Sequence, residues 1–255
     1  MSLLTTHIDL NSDVGESPAA LADGSEDRLL RLVSSANIAC GGHAGDASSM
    51  RAIVKLCLAY GVGLGAHPSY PDRANFGRTR IELSQPDLKA SIREQVESLL
   101  VVAAGVGVTV HHVKPHGALY NAAARNAELA AIIADAVSSV DRRLVLVGLA
   151  GSVMLGVWKS AGFTTVGEAF ADRRYEPDGT LRSRTLPDAL IVDPVEAARQ
   201  ALSIARDGVV LATDGSRLSV KAQTICIHGD TANATSIASE VRHHLHDAGI
   251  SVVPF

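Results

Sequence analysis

The chain has 255 residues, 47% hydrophobic and only 4% aromatic, so a core must come mainly from Ala, Val, Leu and Ile, as in parallel strands buried by helices on both faces. A formal charge of −4 and a pI near 6.2 supply no basic field, which disfavours a nucleic-acid partner. No apolar run approaches the roughly 20 residues that cross a bilayer, no basic and apolar leader opens the chain, and Cys40, Cys57 and Cys226 lack metal-type spacing. The expectation is a cytoplasmic protein with reduced thiols, away from membranes, folded as one domain over 1–255.

In chain order, a strand is predicted over 6–11, a helix over 25–33, a strand over 35–40, a helix over 47–60 and a strand over 62–66. A helix over 86–104 follows, with Leu88, Ile92, Val96, Leu99 and Leu100 on one face and Ser84 or Asp87 as its N-cap. Next come a strand over 108–114, a helix over 118–138, a strand over 143–148 and a helix over 151–161. A strand over 164–169, a helix over 193–207, a strand over 223–228 and a helix over 231–248 complete the series. Such alternation predicts βα units with a parallel sheet, an α/β fold. The segment 170–193 is polar, irregular and rich in Arg and Asp, the composition of a binding loop or lid. A hairpin or an extra strand is expected within 208–222.

The strand ends carry the chemistry. His43, His67, His111, His112, His116 and His228 all sit where short apolar runs break into turns, and buried strands tipped with titratable groups are how α/β folds build active sites. Asp9, Asn11 and Asp13 alternate along the first strand and so share a face, with Glu16 just beyond; an Asx-rich turn capping the next helix is the competing explanation. Asn37 to Asp46 sets His43 in a glycine-lined turn, with Asp46 placed to cap the helix over 47–60. Arg78 follows His67 in a loop and has the donors to clamp a carboxylate, or to sit solvated. His112, Lys114, His116 and Asn121 form the densest element. A buried Lys114 demands a carboxylate such as Asp9 or Asp13, or an anionic substrate, and burial would lower its pKa toward proton transfer. His243, His244 and His246 read as surface residues of the last helix. Asp13, His43 and His67 would suit zinc or manganese if a metal is bound, although no HxH or HExxH pair is present.

These segments resemble the LamB/YcsF family: Asp9–Glu16, Asn37–Asp46, Gly65–Asp72, His112–Asn121, Phe170–Arg173 and Ile227–Asp230, in order along nearly the whole chain. Ser12 stands where that family usually has Cys, Gly42 where an aromatic is common, and Ser69 where Gly is common. None of these departures touches the Asp, His or Lys set. The resemblance implies a distorted seven-stranded (β/α) barrel of the glycoside hydrolase/deacetylase superfamily. It also implies one component of an ATP-dependent 5-oxoprolinase, a lactam hydrolase of the EC 3.5.2.9 type. Such an enzyme opens 5-oxo-L-proline to L-glutamate with ATP as co-substrate, in a complex with two further subunits, B and C. Asp13, His43, His67, Lys114 and His116 then become the catalytic candidates. Asp9, Asn11, Asn37, Arg78, His112, Asn121, Asp172, Arg173 and His228 become the substrate-binding ones. Asp13 or His43 is expected as base, Lys114 as the charge holder, and His67 and His116 as proton shuttles. A metal-dependent hydrolase of the deacetylase type and a non-catalytic ligand-binding subunit are the competing functions. No G-x-x-x-x-G-K-[ST] run is present, so a Walker-type nucleotide site is not expected.

Overall fold

Residues 7–255 are described by the computed structural model; residue 6, where the first strand is expected to start, lies outside them, and the strand is described from His7. The chain runs β1 (His7–Val14), α1 (Pro18–Ala22), α2 (Ser25–Leu30), β2 (Ser35–Ala39), α3 (Ala47–Tyr60), β3 (Gly63–His67) and α4 (Gln85–Ala104). It continues with β4 (His112–Val113), α5 (Gly117–Ala123), α6 (Ala127–Ser138), β5 (Val145–Leu149), α7 (Val153–Ser160), β6 (Thr165–Phe170) and α8 (Pro194–Asp207). The last elements are β7 (Val209–Leu211), β8 (Arg217–Ser219), β9 (Thr224–Cys226), α9 (Ala234–Asp247) and β10 (Ser251–Val252). Seven parallel strands, β1-β2-β3-β4-β5-β6-β9, close into a barrel because β9 pairs with β1 as well as with β6. The expected seven-stranded (β/α) barrel is therefore the observed fold. No helix among the described residues is long and apolar enough to cross a membrane.

The barrel interior is polar. Asp9, Asn11 and Asp13 alternate with Ile8, Leu10 and Val14, and the apolar set joins the core shared with the helices. In register with the inward carboxylates and amides stand Asn37, Gly65, His112, Glu168 and Thr224. These side chains satisfy one another: Asn37 donates to Asn11 Oδ1 at 2.7 Å, His112 Nε2 lies 2.8 Å from Asn37 Oδ1, and Asn11 donates to Glu168 at 3.0 Å. Gly65 makes this layer fit, since a Cβ there would meet His112 Nε2 at 2.0 Å. The main apolar core lies outside the barrel, against the helices.

Several boundaries differ from expectation. The first strand continues three residues past 11, because Ser12, Asp13 and Val14 find parallel partners in Ala36, Asn37 and Ile38. The strand expected over 108–114 shrinks to two residues, His112 and Val113, in register with Gly65 and Ala66 of β3. The helix expected over 118–138 is two helices, because Asn126 turns its side chain to cap Leu129 N at 3.0 Å and restarts the helix as α6. Unexpected additions are α1, begun by Ser17 and Pro18, and β10, which pairs with the start of β1. The segment 208–222 contains the antiparallel hairpin of β7 and β8.

Candidate active site

The ends of β1, β3, β4, β5, β6 and β9 open on one cavity of about 370 Å³, lined among others by Asp13, Glu16, His67, Lys114, His116, His228 and a set of arginines. Parallel alignment makes this convergence automatic, because the strands all end at the same rim. At the base, Lys114 Nζ lies 2.9 Å from Asp13 Oδ1, 2.8 Å from Glu168 Oε1, 3.3 Å from Asn11 Oδ1 and 3.2 Å from Cys226 Sγ. Burial alone would lower its pKa, but Asp13, Cys226 and Glu168 outweigh that and hold the ammonium well above the usual lysine range. The expected drop toward proton transfer is thus overturned: Lys114 is a fixed cation. Burial likewise opposes ionisation of Asp13, yet His67 and Lys114 hold its carboxyl well below the usual range. Glu168 also accepts from Tyr120 Oη at 2.7 Å.

One step up the rim, three histidines gather around Glu16. His43 Nε2 lies 2.8 Å and His116 Nδ1 3.2 Å from Glu16 Oε1, while His67 Nε2 lies 3.0 Å from His116 Nδ1 and 3.3 Å from Asp13 Oδ2. Burial, reinforced by Asp13, pushes the Glu16 carboxyl up to about 7. Burial pushes His43 down to about 2 and His116 well below the usual histidine range, so both rings are neutral. The His43 ring stacks on His116 at 3.6 Å between centroids and takes no part in lining the cavity. Opposite this group, Asp172 is buried and accepts from His228 Nδ1 at 2.9 Å, His228 N at 3.0 Å and Thr231 Oγ1 at 2.6 Å. Nδ1 of His228 therefore carries a proton, since the Asp172 carboxylate only accepts.

The mouth is cationic. Arg78, Arg125, Arg173, Arg182 and Arg184 line the cavity, the last three from the irregular segment after β6. Asp230 ties this mouth together, pairing with Arg78 and, at 2.8 Å, with Arg184. Arg173 is buried and donates to Arg182 O at 2.6 Å, while its Nε has no partner among the described residues. Burial, then the nearby Arg184, lowers its pKa to about 10, which still leaves it charged at neutral pH.

Of the expected site residues, Asp13, His67, Arg78, Lys114, His116, Asn121, Arg173 and His228 line the cavity. Asp9, Asn11, Asn37, His43, His112 and Asp172 do not. Asp9 lies deepest, its carboxylate accepting at 2.7 Å from both Ser34 and Ser35 and also from Thr224, so it braces the barrel instead of meeting a ligand. Asn11, Asn37 and His112 form the layer above it, and Asp172 acts through His228. The expected metal set of Asp13, His43 and His67 is not the group that converges most closely. Glu16, His43, His67 and His116 bring ligand atoms within 4.8 Å of one another, whereas Asp13 Oδ1 is held by Lys114 and Asn37. Glu16, Tyr120, Glu168, Arg182, Arg184 and Asp230 are missing from the expected set. Glu168 had a legible signal, a lone carboxylate inside the apolar run Thr165–Phe170 that needs a buried cation as much as Lys114 needs an anion.

A family model described as "LamB/YcsF family" matches residues 8–255. The A subunit of the 5-oxoprolinase of Chloroflexus aggregans is 50% identical over 245 residues, 96% of this chain and 97% of that protein. The solved structure of a lactam utilization protein from Thermus thermophilus is 43% identical, covers 98% of this chain and all of that one, and superposes with a TM-score of 0.90. A catalytic module of the pneumococcal exo-β-D-N-acetylglucosaminidase StrH, 8% identical with a TM-score of 0.54 over 96% of this chain and 85% of that one, shares the barrel fold alone. With its motifs in order and its barrel superposed on such a relative from end to end, the chain belongs to the LamB/YcsF family.

Proposed function

We propose that this chain is the lactam-opening component of an ATP-dependent 5-oxoprolinase, working with two further subunits, B and C. The assembled enzyme would hydrolyse 5-oxo-L-proline to L-glutamate as ATP becomes ADP and phosphate. The observation that carries this reading is a buried Lys114 cation between Asp13 and Glu168, at the base of a cavity whose mouth is ringed with arginines. A five-membered lactam is a resonance-stabilised amide, so phosphorylation of its oxygen would make the ring carbon attackable. That step gives ATP its purpose. The relatives are named as the A subunit of 5-oxoprolinase, which supports both the reaction and a multi-subunit assembly. With no G-x-x-x-x-G-K-[ST] run in the chain, the ATP step is assigned to the assembled complex.

Within this scheme the substrate carboxylate meets the arginines of the mouth, where paired N–H donors match its geometry. Lys114 holds the negative charge of the phosphorylated intermediate. His228, oriented by Asp172, is better placed as the base for water than Asp13, which is held ionised, or His43, which lies behind His116. A placed base contributes about 10²- to 10⁴-fold and an oxyanion-type donor about 10²- to 10³-fold. The test is an assay of purified chain with 5-oxoproline and ATP, with and without candidate partner subunits. Turnover in the mixture should fall at least about 100-fold with Lys114→Met, Asp13→Asn or His228→Gln. Wild-type turnover by the mixture that survives these substitutions would sink the assignment. 5-Oxoproline binding with no site residue needed for turnover would make the chain a presenting subunit instead.

A further inference from the structure

We propose that Glu16, His67 and His116 form a three-ligand site for a divalent transition metal of the zinc class, with its open position facing the cavity. Backbone carbonyls fix the ring hydrogens of both histidines. His67 Nδ1 lies 2.7 Å from the carbonyl oxygen of Lys114, and His116 Nε2 lies 2.9 Å from that of Phe76. A carbonyl oxygen only accepts, so both of these nitrogens carry protons. The remaining nitrogens, His67 Nε2 and His116 Nδ1, then face each other across 3.0 Å. Two nitrogens buried at that distance need a proton or a metal ion between them, because bare lone pairs there would repel. Carbonyl partners on the far nitrogens are also the supports that fix the tautomer of a metal-ligating histidine.

The spacing fits a metal. Tetrahedral zinc with bonds of about 2.0–2.1 Å separates its ligand atoms by about 3.3–3.4 Å. The three edges here are 3.0 Å for His67 to His116, 3.2 Å for His116 to Glu16 and 3.9 Å for His67 to Glu16. All three residues line the cavity, which leaves the fourth position to water or substrate. His43 is not a fourth ligand, because its ring lies parallel to His116, within 1°, and cannot aim an in-plane lone pair at the same point. Its Nε2, 2.8 Å from Glu16 Oε1, instead orients the carboxylate. The other convergent group, Asp13, Cys226 and His228, is unsuited because the Lys114 ammonium already touches both Asp13 and Cys226. An ion at the proposed site supplies Lewis acidity beside the base of the cavity.

Metal binding needs no partner subunit and no turnover, so its failure and the failure of the 5-oxoprolinase reading are separable. The experiment strips the full-length chain with chelator, then titrates it with Zn²⁺ by calorimetry and with Co²⁺ by visible absorption. One equivalent of each should bind, with the Co²⁺ band of a four-coordinate site. Glu16→Gln, His67→Gln and His116→Gln should each weaken binding by more than about 100-fold, and His43→Gln, which spares all three ligands, by about 10- to 100-fold. His243→Ala and His246→Ala should change nothing, which excludes surface histidines as the source. Should a ligand variant fail to fold, His43→Gln still decides. Absence of saturable binding, or binding that ignores Glu16 and His43, would overturn the site and leave the paired lone pairs to be bridged by a proton.

Discussion

At the scale of single residues, the site is a problem of burying charge. Lys114, Asp13 and Glu168 are all buried, and each is tolerable only because the others are present. Lys114→Met should therefore cost about 3–5 kcal/mol of stability, because it leaves two carboxylates facing each other without a cation. Urea unfolding of the isolated chain measures this, and a double variant that also carries Glu168→Gln should recover part of the loss. Gly65→Ala tests the layer beneath. A methyl group there collides with the His112 ring and must push it off Asn37. Its cost should be about 1–3 kcal/mol, as for other overpacked cores, with a smaller penalty when His112 is also shortened to Ala.

At the scale of elements, the mouth is held by a residue whose charge can be switched. Burial works against ionisation of Asp230, but Arg184 and Arg78 outweigh it and lower the carboxyl to about 2. A folded-state pKa below the ordinary 3.8 means that this stabilisation is complete above about pH 4 and is lost as the pH falls through 2. Asp230 is partly exposed, so solvent reduces the effect to about 1 kcal/mol. Denaturant unfolding should show Asp230→Asn less stable than the parent by that amount at neutral pH, and by about half of it at pH 3. Much of this architecture was legible in the sequence. Helical periodicity marks α3, α4 and α8 nearly to the residue, and the polar ends of apolar runs mark Asp13, His67, Lys114, His116 and His228. What the sequence hid was depth along a strand. Alternation puts Asp9, Asn11 and Asp13 on one face, but only closure of the barrel makes Asp9 a brace and Asp13 a wall of the cavity. The split between α5 and α6 was also hidden, since Ala122 to Ala127 keeps good helix formers on both sides of the Asn126 cap. Asp230 and Arg184 were hidden for a different reason: loop residues have no period, and 46 residues separate the pair.

At the scale of the whole molecule, the site lies at one rim and the strand β10 at the other, beside the start of β1. The seam between β1 and β9 has a consequence in time as well as in space. It joins residues 215 apart in the chain, through Asp9 with Thr224 and Ser12 with Ile227, and closing so long a loop is the slow part of folding. Until that seam zips, Asp13 and His228 are on opposite ends of an open sheet and no cavity exists. Helical signal should accordingly return early when the denatured chain is diluted into buffer, while binding of 5-oxoproline, the substrate proposed above, should return only in the last kinetic phase. A newly made chain thus has no assembled site until β1 meets β9.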